Sequence, residues 1–129
     1  MKEKRMARKL GRFIKGYEKA NKEMTELITE VVRKFGDIDF SDLITRAGEE
    51  DEYDDLVSVK EWINNEYVDC IVKGIYFKKD DTDMNFPYLV IINPFTQETF
   101  TDCIFYISLE EKLSIVKLLK EYFEEKCLD

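Results

Sequence analysis

The side chains that could do chemistry in this chain are carboxylates, lysines, tyrosines and cysteines, because the sequence contains no histidine. Histidine is the commonest general base and the commonest transition-metal ligand, so its absence removes the usual route to both kinds of site. Oxygen ligands do alternate at Asp81, Asp83 and Asn85, as in the first half of a calcium loop. However, Phe86 stands where that loop needs glycine, and Ile92 stands where it needs a bidentate glutamate. We therefore interpret the segment as a solvated loop and predict no metal site.

The three cysteines and five glycines also lack a catalytic pattern. Cys70 and Cys103 lie in apolar, strand-like segments, whereas a nucleophilic thiol needs an electropositive and partly exposed setting. Cys127 follows near the C-terminus, and no two cysteines have CxxC spacing. The glycines form neither GxGxxG nor GxxxxGK[ST], the usual signatures of a phosphate-binding loop. The sequence therefore predicts reduced thiols, no cofactor and no enzyme activity.

Length and composition indicate one domain over residues 1–129, since 44% hydrophobic residues suffice for a core in a chain of this size. No run of 18 apolar residues occurs, and the basic start lacks the apolar region of a secretory signal. We therefore expect a cytoplasmic protein that does not act at a membrane.

The net charge of −8 is distributed unevenly along the chain. Residues 1–34 contain eleven Lys and Arg against five Glu, whereas residues 35–129 contain nine against twenty-three Asp and Glu. The chain is thus an acidic body with a basic arm, and such an asymmetry favours a charged partner. The densest acidic cluster, which we predict to be a surface for a basic protein partner, comprises Glu49, Glu50, Asp51, Glu52, Asp54 and Asp55.

Apolar residues recur at alternating spacings of four and three from Met6 to Val31, which predicts one long helix over residues 1–35 that ends at Gly36. This stripe suits packing on a sheet and also suits a coiled-coil seam. We predict a homo-oligomer, most simply a dimer. Its candidate interface residues are Leu10, Phe13, Tyr17, Met24, Leu27 and Val31.

The length of this helix conflicts with the size of the body. About 33 helical residues span roughly 50 Å, whereas a compact chain of this length is only about 35 Å across. Either the helix bends near Gly11 or Gly16, or its first turns project and meet another molecule.

A basic stripe lies opposite the apolar one and comprises Arg5, Arg8, Arg12, Lys15, Lys19 and Lys22. It is either a solvated helix surface or a contact for phosphate groups, which gives a nucleic-acid-associated protein as the alternative function. The acidic body repels nucleic acid, so we expect little binding at physiological salt.

Local signals divide the rest of the chain. Residues 36–55 are predicted to hold a short helix, capped by Asp39 or Ser41, and the acidic loop. Two strands then flank Asn64-Asn65, a pair that suits a two-residue hairpin turn, although Ser58 and Glu61 have the spacing of a helix-capping box instead.

Residues 86–107 are predicted to form a second, central hairpin, and a capping box at Ser108 and Glu111 begins a last helix over 108–127. The sheet thus covers residues 56–107. In the strand after Asn65, simple alternation places Tyr76 beside Cys70 and Val72, with Ile75 on the opposite face.

These elements predict an α+β fold with a long N-terminal helix, a four-stranded antiparallel meander sheet and a C-terminal helix. In the central hairpin, Phe86 and Tyr88 alternate with Leu89 and Ile91, so both faces of the sheet are apolar. Two helices, one on each face, would cover them, as would one helix layer and a subunit interface. We predict a non-catalytic protein-binding module of the inhibitor, immunity or adaptor type.

Overall fold

Three helices and five strands form the part of the chain that the computed structural model describes, which is residues 2–16, 20–41, 57–79 and 85–126. The helices are α1 (Lys2–Lys15), α2 (Asn21–Phe35) and α3 (Leu109–Lys126). The strands are β1 (Ile38–Asp39), β2 (Ser58–Ile63), β3 (Glu66–Lys79), β4 (Asn85–Ile92) and β5 (Thr99–Cys103), and a 3₁₀ turn covers Ile104–Tyr106. The α+β prediction is confirmed.

The N-terminal helix is divided in two, so the prediction of one continuous helix over residues 1–35 is wrong. The division follows Lys15 at Gly16, one of the two glycines at which a bend was expected, and the Gly16 N–H donates to the Phe13 carbonyl at 3.0 Å. Because α1 packs along α3, no 50 Å helix projects from the body. Gly11 remains helical at a close approach, since a Cβ there would lie 3.0 Å from Cε of Lys120 on α3.

The division also changes the role of the apolar stripe. Leu10, Met24, Leu27 and Val31 are buried in the core of their own chain, so assigning them to an oligomer interface is wrong. Phe13 is partly buried against the same core, and Tyr17 lies outside the described residues. Both helices keep one apolar register because both pack on that core.

Strand β3 is the centre of the sheet. It pairs antiparallel with β4 on one edge, while β1 and β2 share its other edge, and β5 pairs with β4. A bulge between Val72 and Gly74 interrupts β3. A Cβ on Gly74 would lie 2.5 Å from the Ile38 carbonyl oxygen, so this position needs glycine to let β1 approach.

Most of the turn and helix-cap predictions are confirmed. Asn64 and Asn65 have φ values of 51° and 65°, which are the left-handed conformations of the predicted hairpin turn. The alternative capping box at Ser58 and Glu61 is wrong, because both residues lie in β2. Gly36 ends α2 as predicted, with φ 80° and an N–H that donates to Val32.

The capping box at the start of α3 is confirmed. Ser108 N–H donates to Glu111 Oε1 at 2.9 Å, and Glu111 N–H donates to Ser108 Oγ at 3.1 Å. The central hairpin is shorter than predicted, since β5 ends at Cys103. Asp39 Oδ1 accepts the Ser41 N–H at 2.8 Å, but residues 42–47 of the predicted short helix lie outside the described ranges.

Register gives the sheet an inner and an outer face. The inner face, covered by the helices, carries the fully buried aliphatic side chains of Val72, Ile75, Leu89 and Ile91. The outer face carries the side chains that alternate with these, including Tyr88 and its neighbours on β3 and β5. No helix of the described residues packs on the outer face, so one helix layer covers one side of the sheet.

Candidate functional site

The outer face of the sheet carries exposed and half-buried aromatic side chains. Exposure is 60% for Trp62 and 71% for Tyr67, and both side chains point outward from the β2–β3 hairpin. We use the term aromatic face for the outward rings on β2, β3 and β4 and the ring that packs against them from the 3₁₀ turn. These are Trp62, Tyr67, Tyr76, Phe86, Tyr88 and Phe105.

The rings of the aromatic face meet in pairs. Trp62 and Tyr67 are cross-strand partners, with ring centroids 4.7 Å apart at 71°. Tyr76 and Tyr88, also cross-strand partners, have centroids 6.1 Å apart at 29°. Such pairs fix the ring orientations before any partner arrives, and each adds about 0.5–1.5 kcal/mol beyond its burial.

The charge on this face differs from that of the whole chain. Lys60 and Lys78 point outward and Asp69 is the cross-strand partner of Lys60, whereas the complete chain has a net charge of −8. The Lys78 ammonium lies 5.4 Å from the centroid of the Tyr88 ring, in cation–π geometry. The aromatic face therefore combines large apolar area with hydroxyl and ammonium groups at its margin, a composition typical of protein interfaces.

Three carboxyl groups meet on the inner side of the sheet. Glu61 and Asp102 point inward from β2 and β5, and Glu111 reaches the same place from the first turn of α3. Glu111 Oε2 accepts the Lys60 N–H at 2.9 Å, which ties α3 to the open edge of β2. Burial, the hydrogen bond with Asp102, and the charges of Asp102 and Glu111 raise the pKa of Glu61 to about 8.

Lys112 is a second polar group in the interior and is only 2% exposed. Its Nζ donates to Asn21 Oδ1 and to Thr25 Oγ1, both at 2.7 Å, so it joins α3 to the first turns of α2. Burial lowers the pKa of Lys112, and the neighbouring Cys103 acts in the opposite direction. Both acceptors are neutral, and no described carboxylate is bonded to the ammonium group. Lys112 therefore links the two helices. Because it is buried, a substrate has no route to its amine.

The predicted basic stripe is split between two helices. Arg5, Arg8, Arg12 and Lys15 are exposed on α1, and none of these four forms an ion pair with another described residue. Lys22 lies on α2, 4.0 Å from Glu26. Lys19 lies outside the described residues, so the continuous stripe of six is reduced to four cations on α1.

Two further α1–α2 cations serve the fold instead. Lys9 and Lys34 both donate to Glu30 Oε1, at 2.8 and 2.9 Å, and these hydrogen bonds and charges lower the pKa of Glu30 to about 2. They border a groove of about 440 Å³ between the helices. An anion entering this groove would compete with a carboxylate that already occupies both ammonium groups.

The remaining candidates give no reactive centre within the described ranges. Cys70 and Cys103 are buried free thiols, and burial first, then the charges of Glu61 and Asp69, raise the pKa of Cys70. Among the residues described, no three His, Cys, Asp or Glu side chains are placed to hold a metal ion. None of the described helices has the length and apolarity to cross a membrane. Cys127, Asp81, Asp83 and the acidic cluster 49–55 lie outside those ranges.

Comparisons with protein-family models, with curated proteins and with solved structures found no match to this chain.

Sequence reasoning found the material of the aromatic face but missed the carboxyl cluster. The sequence predicted an apolar outer side of β4. It did not predict the carboxyl cluster, because Glu61, Asp102 and Glu111 are far apart in the sequence. A signal was present, since Glu61 alternates with Val59 and Ile63, and Asp102 follows Phe100 at the same spacing. A carboxylate at an inward position of an apolar alternation indicates a buried polar contact.

Proposed function

We propose that this chain is a non-catalytic protein-binding module and that the aromatic face is its binding surface. The observation that carries the proposal is the exposure of Trp62 and Tyr67 on a face that no described helix covers. Single exposed apolar side chains are ordinary on a protein surface, but a packed pair of large exposed rings such as Trp62 and Tyr67 is typical of an interaction site.

The expected energetics fit this role. Trp and Tyr are enriched among interface residues whose truncation costs about 2 kcal/mol or more. Here the pair rests on a two-stranded hairpin with a defined turn, so little side-chain freedom remains to be lost on binding.

The partner would then cover the second apolar face of the sheet. The sequence offered a second helix or a subunit interface as cover, and the three described helices all pack on the inner side. The acidic cluster 49–55 remains a predicted contact for a basic partner, as a region additional to the aromatic face.

The experiment compares two variants in affinity capture from the native host. Trp62→Ser combined with Tyr67→Ser removes the largest exposed rings of the face. The matched control is Phe95→Ser, which removes a ring that is 82% exposed in the β4–β5 turn and is not one of the six rings of the aromatic face. The double variant should lose a protein that wild type and the control both recover. Equal recovery by all three would refute the assignment of this surface.

Association with nucleic acid is the second candidate, favoured by the four unpaired cations on α1. Each phosphate neutralised on duplex DNA contributes a slope of about −0.9 to the salt dependence of binding. Four cations on a chain of net charge −8 give weak attraction at physiological salt. We therefore place this function behind protein binding.

A further inference from the structure

The β2–β3 hairpin, which carries Trp62 and Tyr67, joins the rest of the sheet through the pairing of β3 with β4 from Ile71 onward, and on its inner side it contacts the carboxyl cluster. Glu111 is fully engaged there: Oε1 accepts the Ser108 N–H and Oε2 accepts the Lys60 N–H, both at 2.9 Å. These are bonds that an ionised carboxylate accepts well. Both oxygens of Glu111 are thus occupied by backbone N–H groups, and its charge acts on Glu61.

Glu61 has a different environment. Its Oε1 is buried, and no described donor is bonded to it. Asp102 points inward from β5, and its carboxyl group interacts with Glu61 in the sense that raises the pKa of Glu61. Two ionised carboxylates cannot bond to each other, because each only accepts, but one proton between them supplies the missing donor.

We propose that one proton shared by Glu61 and Asp102 latches the β2–β3 hairpin onto β5 and α3, and that its loss loosens the hairpin. The O–H of the protonated carboxyl group donates a hydrogen bond to an oxygen of the other carboxylate. As the pH rises, this proton is released to water. The cluster then holds three adjacent negative charges, and their repulsion acts on the hairpin through Glu61. This latch regulates the aromatic face, and that part of the inference rests on the proposed function.

The groups around Glu61 leave the pair without a compensating cation among the described residues. Asp102 faces it from β5, Glu111 from α3 and Cys70 from β3, and Cys70 is a buried neutral thiol. Lys112 follows Glu111 in the chain but directs its ammonium group to Asn21 and Thr25 on α2.

The direction of the effect follows from the raised pKa of Glu61, which is about 8 and belongs to the pair. Below that pH the proton is bound and the hairpin is held. Above it the pair is doubly ionised.

The single tryptophan of the chain reports the state of the latch, because Trp62 is adjacent to Glu61 in β2. We would record its fluorescence in the isolated protein from about pH 6 to 9, where tyrosine with its usual pKa of about 10 is mostly protonated. Wild type should show a transition with a midpoint near 8. Glu61→Gln, whose amide donates to Asp102 at every pH, should lose the transition and retain the low-pH signal.

Two further variants make the result specific. Asp102→Asn supplies a donor to Glu61 from the opposite side, so it should also lose the transition, even if Glu61→Gln folds poorly. Glu66→Gln changes an exposed carboxylate in the same hairpin and should leave the transition intact. A transition that persists in Glu61→Gln and in Asp102→Asn overturns the latch, as does a wild type without one. Because the measurement needs no partner, its outcome is independent of the host capture experiment.

Discussion

The two faces of one strand show what distinguishes core from interface in this molecule. On β4, Leu89 and Ile91 point inward and are fully buried under the helices, whereas Tyr88 and Val90 point outward and are half-buried. Both faces are apolar, but the inner one is aliphatic and the outer one is rich in rings that carry hydroxyl groups. Aliphatic side chains pack to constant density in a dry core. Tyrosine tolerates both water and a partner, which suits a surface that is covered reversibly.

The largest test of this contrast is a pair of adjacent truncations. Leu89→Ala should lower the free energy of unfolding by about 2–5 kcal/mol, because it leaves a cavity under the helix layer. Val90→Ala, one residue along but on the outer face, should cost under about 1 kcal/mol. Urea denaturation of both variants gives the comparison, and equal losses would mean that the outer face is as closed as the inner one.

Two substitutions at the buried Lys112 contact test whether the stability of the inner side requires a charged group. Thr25→Val removes one of the two acceptors of a buried ammonium group and should cost about 1–3 kcal/mol. Lys112→Met fills the same space without charge, leaves Asn21 at an exposed position, and should be neutral or stabilising.

The same two variants have a pH signature. The lowered pKa of Lys112 means that the unfolded chain binds this proton more tightly, so wild-type stability should gain as pH rises toward 10.5. That gain should vanish in Lys112→Met. Thermal unfolding at several alkaline pH values measures both effects, and a loss larger in Lys112→Met than in Thr25→Val would contradict this account.

The carboxyl pair gives a pH effect of opposite sign. The folded pKa of Glu61 is raised from 4.5 to about 8, so the folded state holds a proton that the unfolded chain releases. Stability should therefore fall as pH rises through this window, with a limit of about 1.4 kcal/mol per pH unit that partial exposure reduces. Glu61→Gln should flatten the fall, while Glu66→Gln should follow wild type in the same denaturant series.

The outer face should show almost no stability effect and a clear effect on association. Trp62→Ser with Tyr67→Ser should change the free energy of unfolding by under about 1 kcal/mol. If the partner is a second copy, as the expected homo-oligomer requires, wild type should sediment as a dimer at about 100 μM and the double variant as a monomer. A monomeric wild type would assign the face to a different protein.

The smallest effect is expected at the basic surface of α1. In a gel shift at about 150 mM salt, wild type should show no low-micromolar affinity for random duplex DNA. Arg5→Glu combined with Arg8→Glu should then change nothing. Low-micromolar binding that this variant abolishes would place nucleic-acid association ahead of the aromatic face.

Signals carried by a few neighbouring residues were readable from the sequence alone. The Asn64-Asn65 turn, the Gly36 stop and the Ser108 cap each depend on a backbone conformation or a hydrogen bond within a few residues. For the same reason the alternation on β4 correctly separated Leu89 from Tyr88.

Features set by distant partners were not readable. The bulge at Lys73 reverses the alternation in β3, so Tyr76 points outward and Ile75 inward, contrary to prediction. Its cause is the approach of β1 at Gly74, and Gly74 alone does not reveal this. The spacing of apolar residues likewise continues without a break across Gly16, because α1 and α2 pack on one core. It therefore does not reveal the division of the helix. The carboxyl cluster depends on the curvature that brings β2 near β5, which no local pattern encodes.

The bond from Lys60 to Glu111 also affects how the molecule behaves in a crowded solution. An open strand edge presents unpaired N–H groups that can template a strand of another molecule, which is a common start of aggregation. No described strand pairs with the edge of β2 that faces away from β3. On this edge the Lys60 N–H already donates to Glu111, which is 51 residues away in the same chain. Glu111, in the first turn of α3, thereby leaves one fewer N–H on this edge for a strand of another molecule.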